Sequence, residues 1–369
     1  MNRPQNFHAD NHYVPRVYLK NFSSEQGKVW VYRTLVSHSN VPIWRKQSLE
    51  GLTKRQHLYT RITAQGETDE IEKWLDREFE APAAGVLAKV RQQERLTRED
   101  WYHLVRFLAA QDTRTPVRLK ESMSYWHKHM PAVLQDVMAD LERSIEYAQR
   151  NKMNLKFASR PGLEDLPFKF TPHFNEGEEF GTVQVEVTLG RLFWLSQLKR
   201  LLTYTLDVLH NHQWTIWIAP QGIYWPTSDN PVIKLNGYKA DHYDFRGGWG
   251  RKGGEILLPL SPTHLLYTQV GSRPKERYQE MPMDLAQKVR RMIVEHAHHM
   301  VIASSQDPEI PNLRSRVVDQ NAFKAEMELW NKWHDEQSVV ESELIAHRKN
   351  SSHYVNPITG FEPSNLQFS

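Results

Sequence analysis

Strand-like and helix-like stretches fall in blocks along this 369-residue chain instead of alternating, and that ordering constrains the fold more than any other feature. Near the start, Lys28-Val29-Trp30-Val31-Tyr32-Arg33 alternates and is rich in β-formers behind the turn-like Ser23–Gly27, with His57-Leu58-Tyr59-Thr60 as its expected partner. From Thr68 the period changes. Ile71, Trp74, Leu75 and Phe79 recur at helical spacing, and a kink is expected at Pro82. A second helix is predicted from Thr97, a hydroxyl followed by early acids, until Arg114-Thr115-Pro116 interrupts it. Further amphipathic stretches cover about 117–150, 190–212, 284–298 and 320–347. The second strand block comprises 213–219, 223–225, 256–260, 264–269 and 300–303. A doubly wound sheet needs a crossover helix after each strand, so the blocks predict an α+β fold, mostly helical with a small antiparallel sheet.

Residues 1–310 read as a single α+β domain, 311–352 as a C-terminal helix and 353–369 as a loosely held tail. The Pro- and Gly-rich stretch 151–182 is the place for a subdomain boundary. With 39% hydrophobic residues the chain has ample apolar surface for a core. It contains no Cys, which excludes disulfides, thiolate nucleophiles and Cys-ligated metals. No apolar run approaches the roughly 20 residues of a membrane-spanning helix, and Met1–Asn6 lacks the apolar segment of a secretion signal. A cytoplasmic protein with no membrane partner is therefore expected. The net charge of +3 is small, but residues 1–60 carry nine Lys or Arg against three acids, a local +6. Such a face either holds phosphates or is simply a solvated surface.

Several polar clusters carry candidate chemistry. His12, Tyr13 and Arg16 could bind phosphate or supply an imidazole acid or base; alternatively Tyr13, Val14, Tyr18, Leu19 and Phe22 anchor the core while His12 and Arg16 satisfy backbone carbonyls or carboxylates. Thr227-Ser228-Asp229-Asn230-Pro231 places hydroxyls, a carboxylate and an amide at a strand end, although Asp and Asn before Pro are also ordinary turn chemistry. Replacing Asp229 by Asn would remove the charge and keep the shape. Gln111 and Arg114 sit at a helix break, where a guanidinium can enter a pocket or serve structure. Glu72, with Glu78, Glu80 or Asp229, could hold a divalent metal such as Mg²⁺, though such acids more often decorate a helix surface. Three motifs were given little weight: contiguous His210-Asn211-His212, the adjacent His296, His298 and His299, and the Arg-x4-His matches, among them Arg33…His38, in a chain with 18 His.

Four segments in this order resemble the bacterial family of domain of unknown function 4238. They are His12-Tyr13-Val14-Pro15-Arg16-Val17-Tyr18-Leu19-Lys20-Asn21-Phe22, the helix around Ile71-Glu72, Phe107–Pro116, and Thr227–Val232 trailed by Leu258-Pro259-Leu260-Ser261-Pro262. Members of that family have no settled activity, and some relatives are counted among single-gene antiphage defence systems. The resemblance leads us to expect a defence effector with hydrolase activity on nucleic acid or nucleotides. His12, Arg16, Gln111, Arg114, Asp229 and Asn230 would be its catalytic candidates, Tyr13, Ser228 and Trp225 its binding candidates, and Glu72 and Asp229 its metal ligands. The alternative is a non-enzymatic sensor that binds a phage component or nucleic acid through Trp214, Trp217, Tyr224 and Trp225. One departure from the family pattern is Phe79, which stands where a second Glu is expected seven residues after Glu72.

Overall fold

The computed structural model describes residues 7–24, 26–151, 167–173, 182–236, 238–239, 242–273 and 277–350. The tail 353–369 and most of the proposed boundary segment lie outside them. Within that segment Phe168–His173 forms a strand antiparallel to Thr182–Val187.

The chain is α+β, but its strands divide among several sheets instead of one. A four-stranded antiparallel sheet has the order Thr227–Ser228, Met300–Ala303, Lys28–Arg33, Trp44–Ser48. A five-stranded sheet has the order Ile233–Leu235, Glu255–Ser261, His264–Gln269, Thr215–Ile218, Gln279–Glu280, antiparallel except for its last pairing. Met300–Ala303 therefore leaves the C-terminal strand block and pairs with the N-terminal strand. Leu58–Thr60 is not a strand, and His57 before it has a left-handed φ of 56°, which breaks extended backbone. The N-terminal strand pairs instead with Trp44–Ser48, a polar edge strand whose Arg45 and Lys46 blunt further pairing. Thr227–Val232 steps from the edge of one sheet to the edge of the other, and the Asp229 amide donates to the Met300 carbonyl at 3.1 Å.

The helices follow the sequence closely. Thr97 and Asp100 cap Arg98–Thr113 reciprocally, with Asp100 N to Thr97 Oγ1 at 3.1 Å and Thr97 N to Asp100 Oδ2 at 2.8 Å. Pro116 opens the next helix, Pro116–Arg150. Glu70–Leu75 runs through a π-turn, Asp76–Glu80, into Ala81–Arg91. Pro82 lies in the first turn beyond it. With no N–H, and with a ring that excludes the carbonyl four residues back, Pro82 fits the wider turn. Tyr13, Val14, Tyr18, Leu19 and Phe22 pack with Phe79, Leu104, Phe107 and Leu108 in the largest core cluster.

The C-terminal helix Gln320–Asn350 is fastened along its length. Glu341 takes Arg191 Nε and the Ile62 amide, each at 2.9 Å, and Glu326 takes Lys120 Nζ at 2.7 Å. Among the described residues no helix is long and apolar enough to cross a membrane.

Candidate functional site

A cavity of about 520 Å³ opens where Thr227–Val232 leaves the four-stranded sheet. Arg33 reaches it from the end of its strand, Arg45 from the neighbouring edge strand, and Arg55 from Lys54–Gln56. Among the described residues none of the three makes an ion pair with a carboxylate. Burial and the nearby Arg45 and Arg55 charges make it harder for Arg33 to hold its proton, while Tyr13 and Asp229 oppose this only in part. Arg55 lies 5.1 Å from the centroid of the Trp330 ring, and its buried Nε has no hydrogen-bond partner.

Asp229 lines the same cavity, but its carboxylate is fully used by backbone. Oδ1 accepts the His298 amide and Oδ2 the His299 amide, both at 2.8 Å. Burial raises its pKa and those two N–H groups restrain the rise. Asp229 thereby fixes the turn that presents the His298 and His299 rings, whose centroids are 3.7 Å apart. Burial, reinforced by His299, pushes the His298 ring down to about 3, so it is neutral at ordinary pH. His38 is also part of the lining. Glu326, which also lines the cavity, is held well below the usual carboxylate range by the His299 ring, 3.5 Å away, and by Lys120 and Trp330.

Behind the cleft Arg114 is fully buried and fully engaged. It donates to Glu80, to the His12 carbonyl and, at 3.2 Å, to the Tyr59 hydroxyl, which itself donates to the Arg114 carbonyl at 2.8 Å. The π-turn supplies Glu80: one extra residue in that turn carries the eighth residue after Glu72 to the face where a regular helix presents the seventh. Glu80 thus occupies the place that Phe79 leaves open. Glu72 is beside this pair. Burial raises its carboxyl to about 7 against the pull of Arg114, with Glu80 adding to the rise, and its Oε2 is buried without a partner.

The other expected residues scatter around these two features. His12 Nε2 donates to the Glu50 carbonyl at 3.2 Å, and burial lowers its pKa. Arg16 is exposed at the start of a short helix. Gln111 is fully buried, and neither amide atom finds a partner among the described residues. Its neighbour Asp112 accepts Lys234 Nζ and Trp249 Nε1, each at 2.7 Å, and although burial raises its pKa, Arg118 and Lys234 hold it well below the usual range. Tyr13 lines the cavity. Ser228 Oγ accepts the Asn230 amide at 3.1 Å, an ordinary turn contact, and the Asn230 side chain faces His296. Trp225 donates to the Ala286 carbonyl at 3.1 Å inside a separate hydrophobic cluster. Of the aromatics expected on a sensor surface, Trp214, Trp217 and Trp225 are buried and only Tyr224 is exposed.

Neither expected metal ligand favours an ion in this arrangement: both Asp229 oxygens are hydrogen-bonded, and Glu72 faces the Arg114 cation. A third cluster, His57, Glu67 and His334, brings its ligand atoms within 4.8 Å of one another. Here Arg191 Nη1 lies 3.0 Å from His334 Nδ1. A guanidinium only donates, so Nδ1 accepts and the proton sits on Nε2, which donates to Glu67 at 3.1 Å. That chain, with a guanidinium charge beside it, ties the C-terminal helix to strand Gly66–Thr68 and leaves no lone pair of His334 for a metal.

Glu326 carries no signal in the sequence, and His298, His299 and Arg33 fall only in motifs of little weight there. The signal for the arginines was the +6 balance of residues 1–60, and Arg33 and His38, a discounted Arg-x4-His match, line the cavity together. No curated protein and no solved structure matches the chain. The profile of a family described as a protein of unknown function (DUF4238) matches residues 10–307, so the chain belongs to that family.

Proposed function

We propose that the arginine-lined cleft binds a phosphorylated ligand, a nucleotide or a nucleic-acid strand, and that the protein hydrolyses it as an antiphage effector. The observation that carries this reading is the convergence of Arg33, Arg45 and Arg55 on one cavity without carboxylate partners among the described residues. Gathering like charges in a partly desolvated place is unfavourable unless an anion completes the set. Arginine suits phosphate through its planar, multiply donating fork. The hydrolytic part of the reading draws on His38, His298 and His299, imidazoles that line the same cavity as the arginines.

The test is incubation of the purified protein with ribonucleoside triphosphates and with short single-stranded RNA and DNA, in parallel with Arg33→Gln and His299→Ala. The reading expects products that disappear in both variants. Binding without any product would leave a sensor that uses the same cleft, and absence of both binding and product would end the proposal.

A further inference from the structure

The cleft brings together two chemically different sets of side chains, and the second comes from outside the family-matched region. Residues 10–307 supply the arginines. A wall of the cavity is built by the C-terminal helix Gln320–Asn350, whose Phe323, Glu326 and Met327 also line it. Phe323 and Met327 are one turn apart and share a helix face. Met327 is 43% exposed, an apolar side chain left open beside a cavity. Val36 and Val117 face into the same space from the N-terminal strands and from the start of Pro116–Arg150. The wall is held in place before any ligand arrives: Glu326 accepts Lys120 Nζ at 2.7 Å and Trp330 Nε1 at 2.8 Å, and Arg55 sits over Trp330.

A ligand that satisfies both sets carries phosphates at one end and a flat apolar group at the other. We infer that the cleft takes a mononucleotide carrying at least two phosphates, its base packed against Phe323 and Met327 and its phosphates on Arg33, Arg45 and Arg55. This inference rests on the anion-binding reading above and adds the base. The cavity volume of about 520 Å³ falls in the range of small-molecule sites. A strand would instead require a basic groove with aromatics repeated along it, and apart from its histidines the lining of this cavity offers Tyr13 and Phe323. Because the wall lies beyond residue 307, it is the part of the site through which this chain would select its base.

Calorimetric titration of inorganic pyrophosphate and of each of the four ribonucleoside diphosphates separates the two ends. At least one nucleotide should bind roughly tenfold or more tighter than pyrophosphate, the order expected for one stacked base. Phe323→Ala and Met327→Ala should bring that nucleotide towards the pyrophosphate affinity and leave pyrophosphate unchanged. Equal affinity for pyrophosphate and all four nucleotides would overturn the inference while leaving the anion site standing. Equal loss of both ligands in Phe323→Ala and Met327→Ala would also overturn it, since the wall would then be only structural. A ten-residue oligonucleotide bound more tightly than every mononucleotide would replace it with a strand site, and failure of pyrophosphate and nucleotides alike would remove the anion reading itself.

Discussion

Arg114 and the arginines of the cleft have the same side chain in opposite circumstances. Arg114 is buried, paired with Glu80 and hydrogen-bonded to Tyr59 and to the His12 carbonyl, so each of its three guanidinium nitrogens donates within the chain. Arg33, Arg45 and Arg55 surround a void, and among the described residues none of them has a carboxylate partner. A buried charge that is fully matched belongs to the architecture, whereas charges held close together without a match are arranged for something that arrives from outside. The sequence left both cases open, Arg114 between a pocket and a structural role and the N-terminal basic residues between phosphate binding and a solvated surface.

The comparison can be broken by substitution. Arg114→Met should have the largest effect, because it leaves Glu80 and the His12 carbonyl without their donor in a buried setting; about 3–5 kcal/mol of stability should be lost in urea denaturation. Stability near that of the unsubstituted protein would show that Arg114 is not the anchor described. Asp229→Asn should cost less, about 1–3 kcal/mol, because its Nδ2 would face a backbone N–H of His298 or His299 that the carboxylate now satisfies. That substitution is therefore not the shape-neutral one its isosteric form suggests, and an unchanged denaturation midpoint would argue against the clamp. Glu72→Gln should have the smallest effect, visible only as a pH dependence. The Glu72 carboxyl is raised from an ordinary 4.5 to about 7 in the folded protein, so its proton contributes stability that is present below about 4.5 and lost as the pH rises through about 7. The Gln variant, neutral throughout, should show a flatter stability profile across that window. Identical profiles for the two proteins would place the proton elsewhere.

What the sequence disclosed was local. The Thr97–Asp100 cap, the break at Pro116, and the core roles of Tyr18 and Phe22 each depend on residues a few positions apart, and all appear as read. What it concealed was register over distance. The partners of Lys28–Arg33 are Trp44–Ser48, too polar to look like a strand, and Met300–Ala303, about 270 residues away, and no local pattern encodes either choice. The Glu72–Glu80 relation was hidden because counting by seven assumes a regular helix, and the π-turn adds a residue. The cleft was hidden for the same reason as the sheet. Arg33, Arg45 and Arg55 come from three strands, His298 and His299 from the turn that Asp229 holds, and Glu326 from the C-terminal helix.

Whether the cleft arginines await an anion is read most simply from thermal denaturation with increasing pyrophosphate, comparing the unsubstituted protein with an Arg33→Gln, Arg45→Gln double variant. Without ligand the double variant should melt at the same temperature or slightly higher, because substitution relieves repulsion among the three charges. With ligand the midpoint of the unsubstituted protein should climb as the logarithm of concentration once the dissociation constant is passed, while that of the variant stays flat. An equal climb in both proteins, or none in either, would contradict the account.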